Sequence, residues 1–213
     1  MEKKRLAMFD FDGTMIAGDS IADFVRFSFF RGKLSFARVL HVSLLTLLWK
    51  CGFAKVERVK SMALRHLGGM GEGGAEALCR AFVADRLVPR VYPQALARMR
   101  EHAAAGDTVM LVSASPLVYL RYLKEFLPAD AILGTVTDGA YRVLVNVVRE
   151  EKPRQIRAWL SENGLEADWA ASFAYGDSAN DLPMLRLAGN PRLVNPKGKA
   201  LRLGAGIPAE NWK

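Results

Sequence analysis

The sequence predicts an α/β fold in which a parallel sheet is interrupted early by an inserted, all-helical cap. Three observations carry this reading. Leu6 to Phe11 is a short apolar run that enters the turn Asp12-Gly13-Thr14, the pattern of a buried strand meeting a glycine. The next comparable strand, Thr108 to Val112, comes only after a long stretch of helical periodicity. From there strands and helices alternate regularly, as in α/β proteins.

The cap is expected over residues 17–90, leaving 1–16 and 91–213 to the core. Pro89 and Pro93 mark the return, and Gln94 to Ala105 reads as a helix ended by Gly106. Ser115 as N-cap and Pro116 at the first helical position predict a helix over Leu117 to Phe126, stopped by Pro128. Ile132 to Val148 reads as a strand and hairpin around Asp138-Gly139. A helix over Pro153 to Glu162 follows, then an apolar strand Ala170 to Tyr175 ending in Gly176-Asp177. A helix starting near Asn180 and a last strand, Arg192 to Val194, complete the pattern.

The 213 residues, 51% of them hydrophobic, can bury one ample core or one core with a small appendage, which excludes a disordered chain. Cys51 and Cys79 have neither metal-ligand spacing nor a disulfide pattern, which predicts a reducing compartment, the cytoplasm. The basic start Met1 to Arg5 is followed only by Leu6 to Phe9 before Asp10, too short for a signal h-region, and reads as a mature cytosolic start.

The net charge of +8 is local. Between Arg26 and Arg65 nine basic residues face one acid, Glu57, so this segment carries the whole excess. It would attract anionic substrate, acidic lipid or nucleic acid, or serve as a solvated helical face. No aromatic platform or basic recognition motif accompanies the charge, so no nucleic acid is expected. Within the segment, Leu34 to Phe53 is strongly apolar, but Arg38, His41 and Lys50 interrupt it, and a bilayer span needs about 20 mostly apolar residues. It reads either as a cap helix buried on two sides or as an interfacial helix with basic flanks.

The chemistry-bearing residues fall at strand ends: Asp10-x-Asp12, Ser113, Lys152 and Gly176-Asp177-Ser178-Ala179-Asn180-Asp181. In open α/β sheets a site lies beyond the carboxyl ends of the strands, where these pieces can converge. Residues i and i+2 of an extended chain share a side, so Asp10 and Asp12 leave the strand together. Their repulsion, roughly 4 kcal/mol at about 4 Å in an intermediate dielectric, calls for a counter-cation or a raised pKa. Asp10 is the candidate nucleophile toward phosphorus and Asp12 the candidate acid and base. Gly13, Thr14, Ser113 and Ala114 would hold phosphate oxygens. Lys152 would keep Asp10 ionised and offset phosphoryl charge. Asp177, with Asp10 and the Asp12 backbone carbonyl, suits magnesium, and Asp181 and Asn180 would orient the metal's surroundings.

The order D-F-D-G-T, strand plus Ser113, Lys152, then G-D-S-A-N-D resembles the haloacid dehalogenase (HAD) superfamily of magnesium-dependent phosphatases, over residues 10–181. The helical insert after the first motif resembles its phosphoserine phosphatase-like branch. The resemblance implies a Rossmann-like core, a helical cap closing over the site, and an aspartyl-phosphate route on Asp10. Asp12 argues against carbon–halogen chemistry, because dehalogenases lack that carboxylate. Asp19 stands where the branch has an acid that meets a substrate amine, and Arg65 is the candidate for the cap arginine that meets a carboxylate. The basic, apolar insert and Ser113-Ala114-Ser115-Pro116 look more like relatives acting on phosphatidylglycerophosphate or other lipid head-groups.

The expected activity is therefore phosphomonoester hydrolysis of a small phosphorylated metabolite or a lipid head-group, with possible peripheral membrane contact through the basic cap. A phosphotransferase passing the acyl phosphate to an alcohol is the near neighbour. A receiver domain is disfavoured by motif order, and a basic anion-binding module with an inactive core by the intact set of acids and lysine. Hinges near Ala17-Gly18 and residues 90–93 are expected to let the cap gate entry.

Overall fold

The computed structural model describes residues 2–71 and 73–213. Met1, counted in the basic start, and Glu72, within the expected cap, lie outside them. The central strand is β2 (Leu6–Phe9), after a short β1 (Glu2–Lys4). Next come α1 (Ser20–Phe30), α2 (Phe36–Lys50), α3 (Val56–Leu64) and α4 (Gly74–Phe82). The chain returns through α5 (Pro93–Ala104) to β3 (Thr108–Pro116), α6 (Leu117–Leu120), β4 (Ala131–Thr137) and β5 (Val143–Val145). The last elements are α7 (Glu151–Glu162), β6 (Leu165–Ala167), β7 (Phe173–Gly176), α8 (Leu182–Leu185), β8 (Asn190–Val194), α9 (Lys199–Leu203) and β9 (Ala209–Glu210).

Seven strands form one sheet in the order β5-β4-β3-β2-β7-β8-β9, parallel except for β5, and β1 pairs separately with β6. In the central register Phe9 lies opposite Leu111 on one side and Tyr175 on the other. From β2 the chain builds outward through β3 and β4, and only later adds β7 on the other flank. That reversal opens a crevice at the carboxyl ends of β2, β3 and β7.

Alternation along β2 divides the interior. Leu6 and Met8 point into a cluster with Ile156 and Leu160 of α7 and Leu182 and Leu185 of α8. Ala7 and Phe9 point the other way, into a larger cluster that holds Phe11, Tyr119 and Tyr175 together with Phe24 of α1 and Phe82 of α4. The helical insert thus shares its core with one face of the sheet. Only the α2–α3 end has a small cluster of its own, around Val25, Leu34, Val42 and Ala63.

The insert closes where Ile16 and Val91 form an antiparallel bridge. Asp19 caps α1, its carboxylate accepting from the amides of Ile21 and Ala22. Arg90, in the short 3-10 turn Val88–Arg90, donates to the Ala17 carbonyl and to Asp23.

The local pattern differs from expectation after β3. The strand runs through Pro116, and the helix expected over Leu117 to Phe126 is one turn of α6 followed by the 3-10 segment Arg121–Glu125. Ser115 does not cap it: its hydroxyl donates to Asp12, and its amide donates to Ser113 Oγ at 3.0 Å, so the backbone stays extended. The helix expected near Asn180 is likewise a single turn, α8. The Asp138-Gly139 hairpin is longer than a two-residue turn, with the Asp138 carboxylate accepting from the amides of Ala140 and Arg142.

Candidate active site

A cleft of about 580 Å³ opens where the three central strands end, lined by Asp10, Asp12, Ser113, Lys152, Asp177 and Asp181 from the core. The cap contributes Asp19, Trp49, Val56 and Lys60 to the opposite wall.

The turn after β2 sets the first carboxylates. The Asp10 amide donates to the Tyr175 carbonyl at 2.9 Å, and the amides of Met15 and Gly13 bond the Phe11 and Ile16 carbonyls at 2.8 Å, curling the chain. Gly13 sits at φ +87, and a Cβ there would lie 2.3 Å from Asp177 Oδ2, so the position needs glycine twice over. Gly176 is equally confined, its missing Cβ leaving room for Asp181.

Lys152 Nζ, buried at the start of α7, donates to Asp10 Oδ1 and Asp181 Oδ1, each at 2.6 Å. Thr14 Oγ1 donates to Asp10 Oδ2 at 3.1 Å. Thr14 is fully buried, and it is not among the residues that line the cleft. Asp181 Oδ2 accepts from the Ser178 amide at 3.0 Å and its hydroxyl at 2.6 Å.

Carboxylate oxygens of Asp10, Asp177 and Asp181 lie within 4.8 Å of one another. Burial, reinforced by Asp181, pushes Asp10 well above the usual carboxylate range despite Lys152, and brings Asp177 up to about 7. Burial would also raise Asp181, but Lys152 and Ser178 outweigh it and hold the group low. Lys152 is held above its usual value because the two carboxylates outweigh its desolvation. One lysine against three close carboxylates leaves negative charge uncompensated. An all-oxygen donor set of this charge fits a hard divalent cation.

Asp12 lines the same cleft but does not join that cluster. Its Oδ1 accepts from the Ser20 amide at 2.7 Å, and its Oδ2 from Ser20 Oγ at 3.0 Å and from Ser115 Oγ. Ser20 Oγ in turn contacts Tyr119 Oη at 2.9 Å. Burial raises Asp12 to about 6 against the opposing serine bonds. The carboxylate is held in one orientation, with a proton affinity close to neutrality.

Ser113 is buried at the cleft floor, its oxygen accepting from the Ser115 amide, which leaves the hydroxyl hydrogen to donate elsewhere. Ala114 lines the cleft, and its carbonyl accepts from Lys60 Nζ and Thr135 Oγ1. Asn180 Oδ1 accepts from Arg149 Nε at 3.0 Å at the exposed rim.

One cap expectation changes. Arg65 is exposed at the end of α3 and does not line the cleft; Lys60 does. Five residues on a helix turn about 140°, so the two side chains leave different faces. Lys60 Nζ also donates to Asn146 Oδ1 at 2.6 Å, and burial draws it down to about 8. Asp19 does line the cleft, at its exposed rim, while serving as the cap of α1.

Sequence reasoning missed Lys60, Ser115, Ser20 and Arg149. Ser115 had a signal: it stands two residues after Ser113, the same spacing that aligned Asp10 with Asp12.

Residues 7–186 match the haloacid dehalogenase-like hydrolase family. The chain belongs to this family. A histidinol-phosphatase of Neisseria meningitidis is 25% identical to it over 221 aligned residues, covering 99% of this chain and all of that one. A protein of unknown function from Bordetella pertussis shares the fold at TM-score 0.85 and 26% identity, over 97% and 98% of the two chains. A phosphoserine phosphatase, solved as a phospho-aspartyl intermediate analogue, superposes at TM-score 0.64 and 22% identity, over 100% and 96%. This HAD protein is a phosphatase-type hydrolase with a Rossmann-like core and an early helical insert, and it shares its fold with phosphoserine phosphatases.

Proposed function

We propose that this HAD hydrolase cleaves phosphomonoesters through an aspartyl phosphate on Asp10, with magnesium as cofactor and a small phosphorylated metabolite as substrate. The observation that carries the reading is the division of labour between two neighbouring acids. Asp10 is bound to Lys152 beside Asp177 and Asp181, while Asp12 is turned away to Ser20 and Ser115 with a pKa near 6.

In the first step an Asp10 oxygen attacks phosphorus, and the bond to the leaving oxygen breaks as that oxygen takes the Asp12 proton. In the second, Asp12 takes a proton from water, which attacks the aspartyl phosphate and frees phosphate and Asp10. Lys152 favours the ionised form of Asp10 against burial and offsets phosphoryl charge, and the Ser113 hydroxyl offers a donor to a phosphoryl oxygen. Asp10, Asp177 and the Asp12 backbone carbonyl would hold magnesium, with Asp181 and Asn180 beside them. Bound there, the ion would neutralise phosphoryl charge and the excess of carboxylates.

Lys60 supplies a second cation across the cleft, suited to a further anionic group, and Asp19 at the rim suits an ammonium group. Phosphoserine-like and histidinol phosphate-like esters fit such a pair, with a lipid head-group phosphate as the second reading, favoured by Trp49 and Val56 in the wall. The free thiols of Cys51 and Cys79 suit the cytoplasm.

The test is phosphate release with magnesium from phosphoserine, histidinol phosphate, sugar phosphates and micellar phosphatidylglycerophosphate. Asp10→Asn should lower kcat by roughly 10³-fold or more while the fold persists. Turnover retained in that variant would remove the covalent route.

A further inference from the structure

The cap carries a surface that the reaction does not use. Helix α2 is 15 residues long, about 22 Å, and buries only Val42 and Leu45. Its opposite face is apolar: Phe36, Leu40, Leu44 and Leu47 follow at four-, four- and three-residue steps and are 69%, 60%, 54% and 58% exposed. Phe30, before the helix in the chain, and Phe53, after it, are also 78% and 83% exposed. A solvated helix places polar residues on that side. Here the polar positions, Arg38, His41, Ser43, Thr46 and Lys50, fall on the flanks and inner side instead.

The surroundings are cationic. Lys33, Arg38, Lys50, Lys55 and Arg58 are exposed, and none forms an ion pair with a described residue. Among the described residues no helix is long and apolar enough to cross a membrane.

We propose that α2, with Phe30 and Phe53, docks the protein in plane on an anionic lipid surface. The apolar stripe would enter the head-group and acyl boundary, and the basic flanks would meet lipid phosphates. Charge selects this occupant over a second copy of the chain. A two-fold contact through α2 would set both basic rims against each other, with Glu57 the one acid between Arg26 and Arg65. Trp49 lies on the inner side of the same helix and lines the cleft, so α2 stands between the cleft and the docking face. The proposal is independent of the reaction assigned above.

The experiment is co-sedimentation of the full chain with vesicles of phosphatidylcholine alone or with a minority of phosphatidylglycerol, alongside sedimentation velocity of the free protein. Binding should need the anionic lipid and weaken with added salt. Leu40→Ser/Leu44→Ser/Leu47→Ser should lower it about tenfold or more, with unchanged circular dichroism and unchanged turnover of a soluble aryl phosphate. Arg38→Gln/Lys50→Gln/Arg58→Gln should remove the preference for phosphatidylglycerol. Absence of vesicle binding, or binding that the leucine variant leaves intact, overturns the proposal. Self-association that the leucine variant abolishes overturns it too and assigns the face to a second copy.

Discussion

Two aspartates two residues apart acquire opposite duties through their neighbours. Asp10 meets a lysine and two further acids, whereas Asp12 meets only hydroxyls and an amide. The Ser115 bond is the largest of the influences that hold Asp12 down against burial. Removing it in Ser115→Ala takes away a partner of the ionised form, so the Asp12 pKa must rise above its present value of about 6. In the proposed route the first step needs Asp12 protonated, so kcat/KM should fall as pH rises through that pKa. The alkaline limb of kcat/KM for a poor leaving group should therefore move to higher pH in the variant. An activated aryl phosphate, which needs little protonation, should show a smaller shift. A limb that stays fixed, or moves to lower pH, would remove Asp12 as the acid.

At the scale of elements, what could be read in advance was local, and what could not depends on distant segments. The apolar strands, their glycine exits and the acid pairs are contiguous signals, so Asp10, Asp12, Ser113, Lys152 and Asp177 converge on one cleft. Strands β1, β6 and β9 are two or three residues long, too short for any period, and exist because a neighbour's edge is available. Lys60 looked like one more cation in a basic segment; only the approach of α3 to β5 brings it to Asn146. The apolar period of α2 identified a helix but could not say which side is covered.

The 3-10 turn Arg65–Gly69 after α3 shows the same dependence on packing. His66 is buried there against Phe24, with ring centroids 5.7 Å apart, and neither ring nitrogen has a hydrogen-bond partner. Ala63 backbone lies near enough to favour the charged ring, though not in bonding geometry, and burial outweighs it, lowering His66 to about 4. The folded state then binds fewer protons than the unfolded chain between pH 6.5 and about 4. The contribution is complete above that window and is lost as pH falls through it, to the extent of roughly 2 to 3 kcal/mol. In His66→Leu the loss should disappear. Urea midpoints at neutral pH and near pH 4.5 should diverge between wild type and variant, and parallel declines would show that His66 is not the titrating group.

For the whole molecule, the shared core limits how the cap can move. A cap swinging as one body about Ala17-Gly18 and residues 90–93 would part Phe24 and Phe82 from Tyr119, which now lie 5.2 and 5.3 Å from it between ring centroids. It would also break the contacts of Arg90 with the Ala17 carbonyl and Asp23. Exposing large side chains costs about 1.5–3 kcal/mol each, so parting three of them would leave the open form at roughly one molecule in 10³ or fewer. Helix α2 has no such tie, because it packs in a separate small cluster and buries two residues, whereas α3 is held to the core through Lys60, Ser61 and Leu64. Motion at the cleft should therefore come from α2, while α1 and α4 stay with the sheet. Native-state hydrogen exchange should show α1 and α4 amides opening with β2 and β3, at close to the global unfolding free energy, and α2 amides exchanging well before them. A phosphate mimic with magnesium should slow α2 and leave α1 and α4 unchanged. If α1, α2 and α4 exchange together and ahead of the sheet, the insert moves as one body, and the shared core does not hold it.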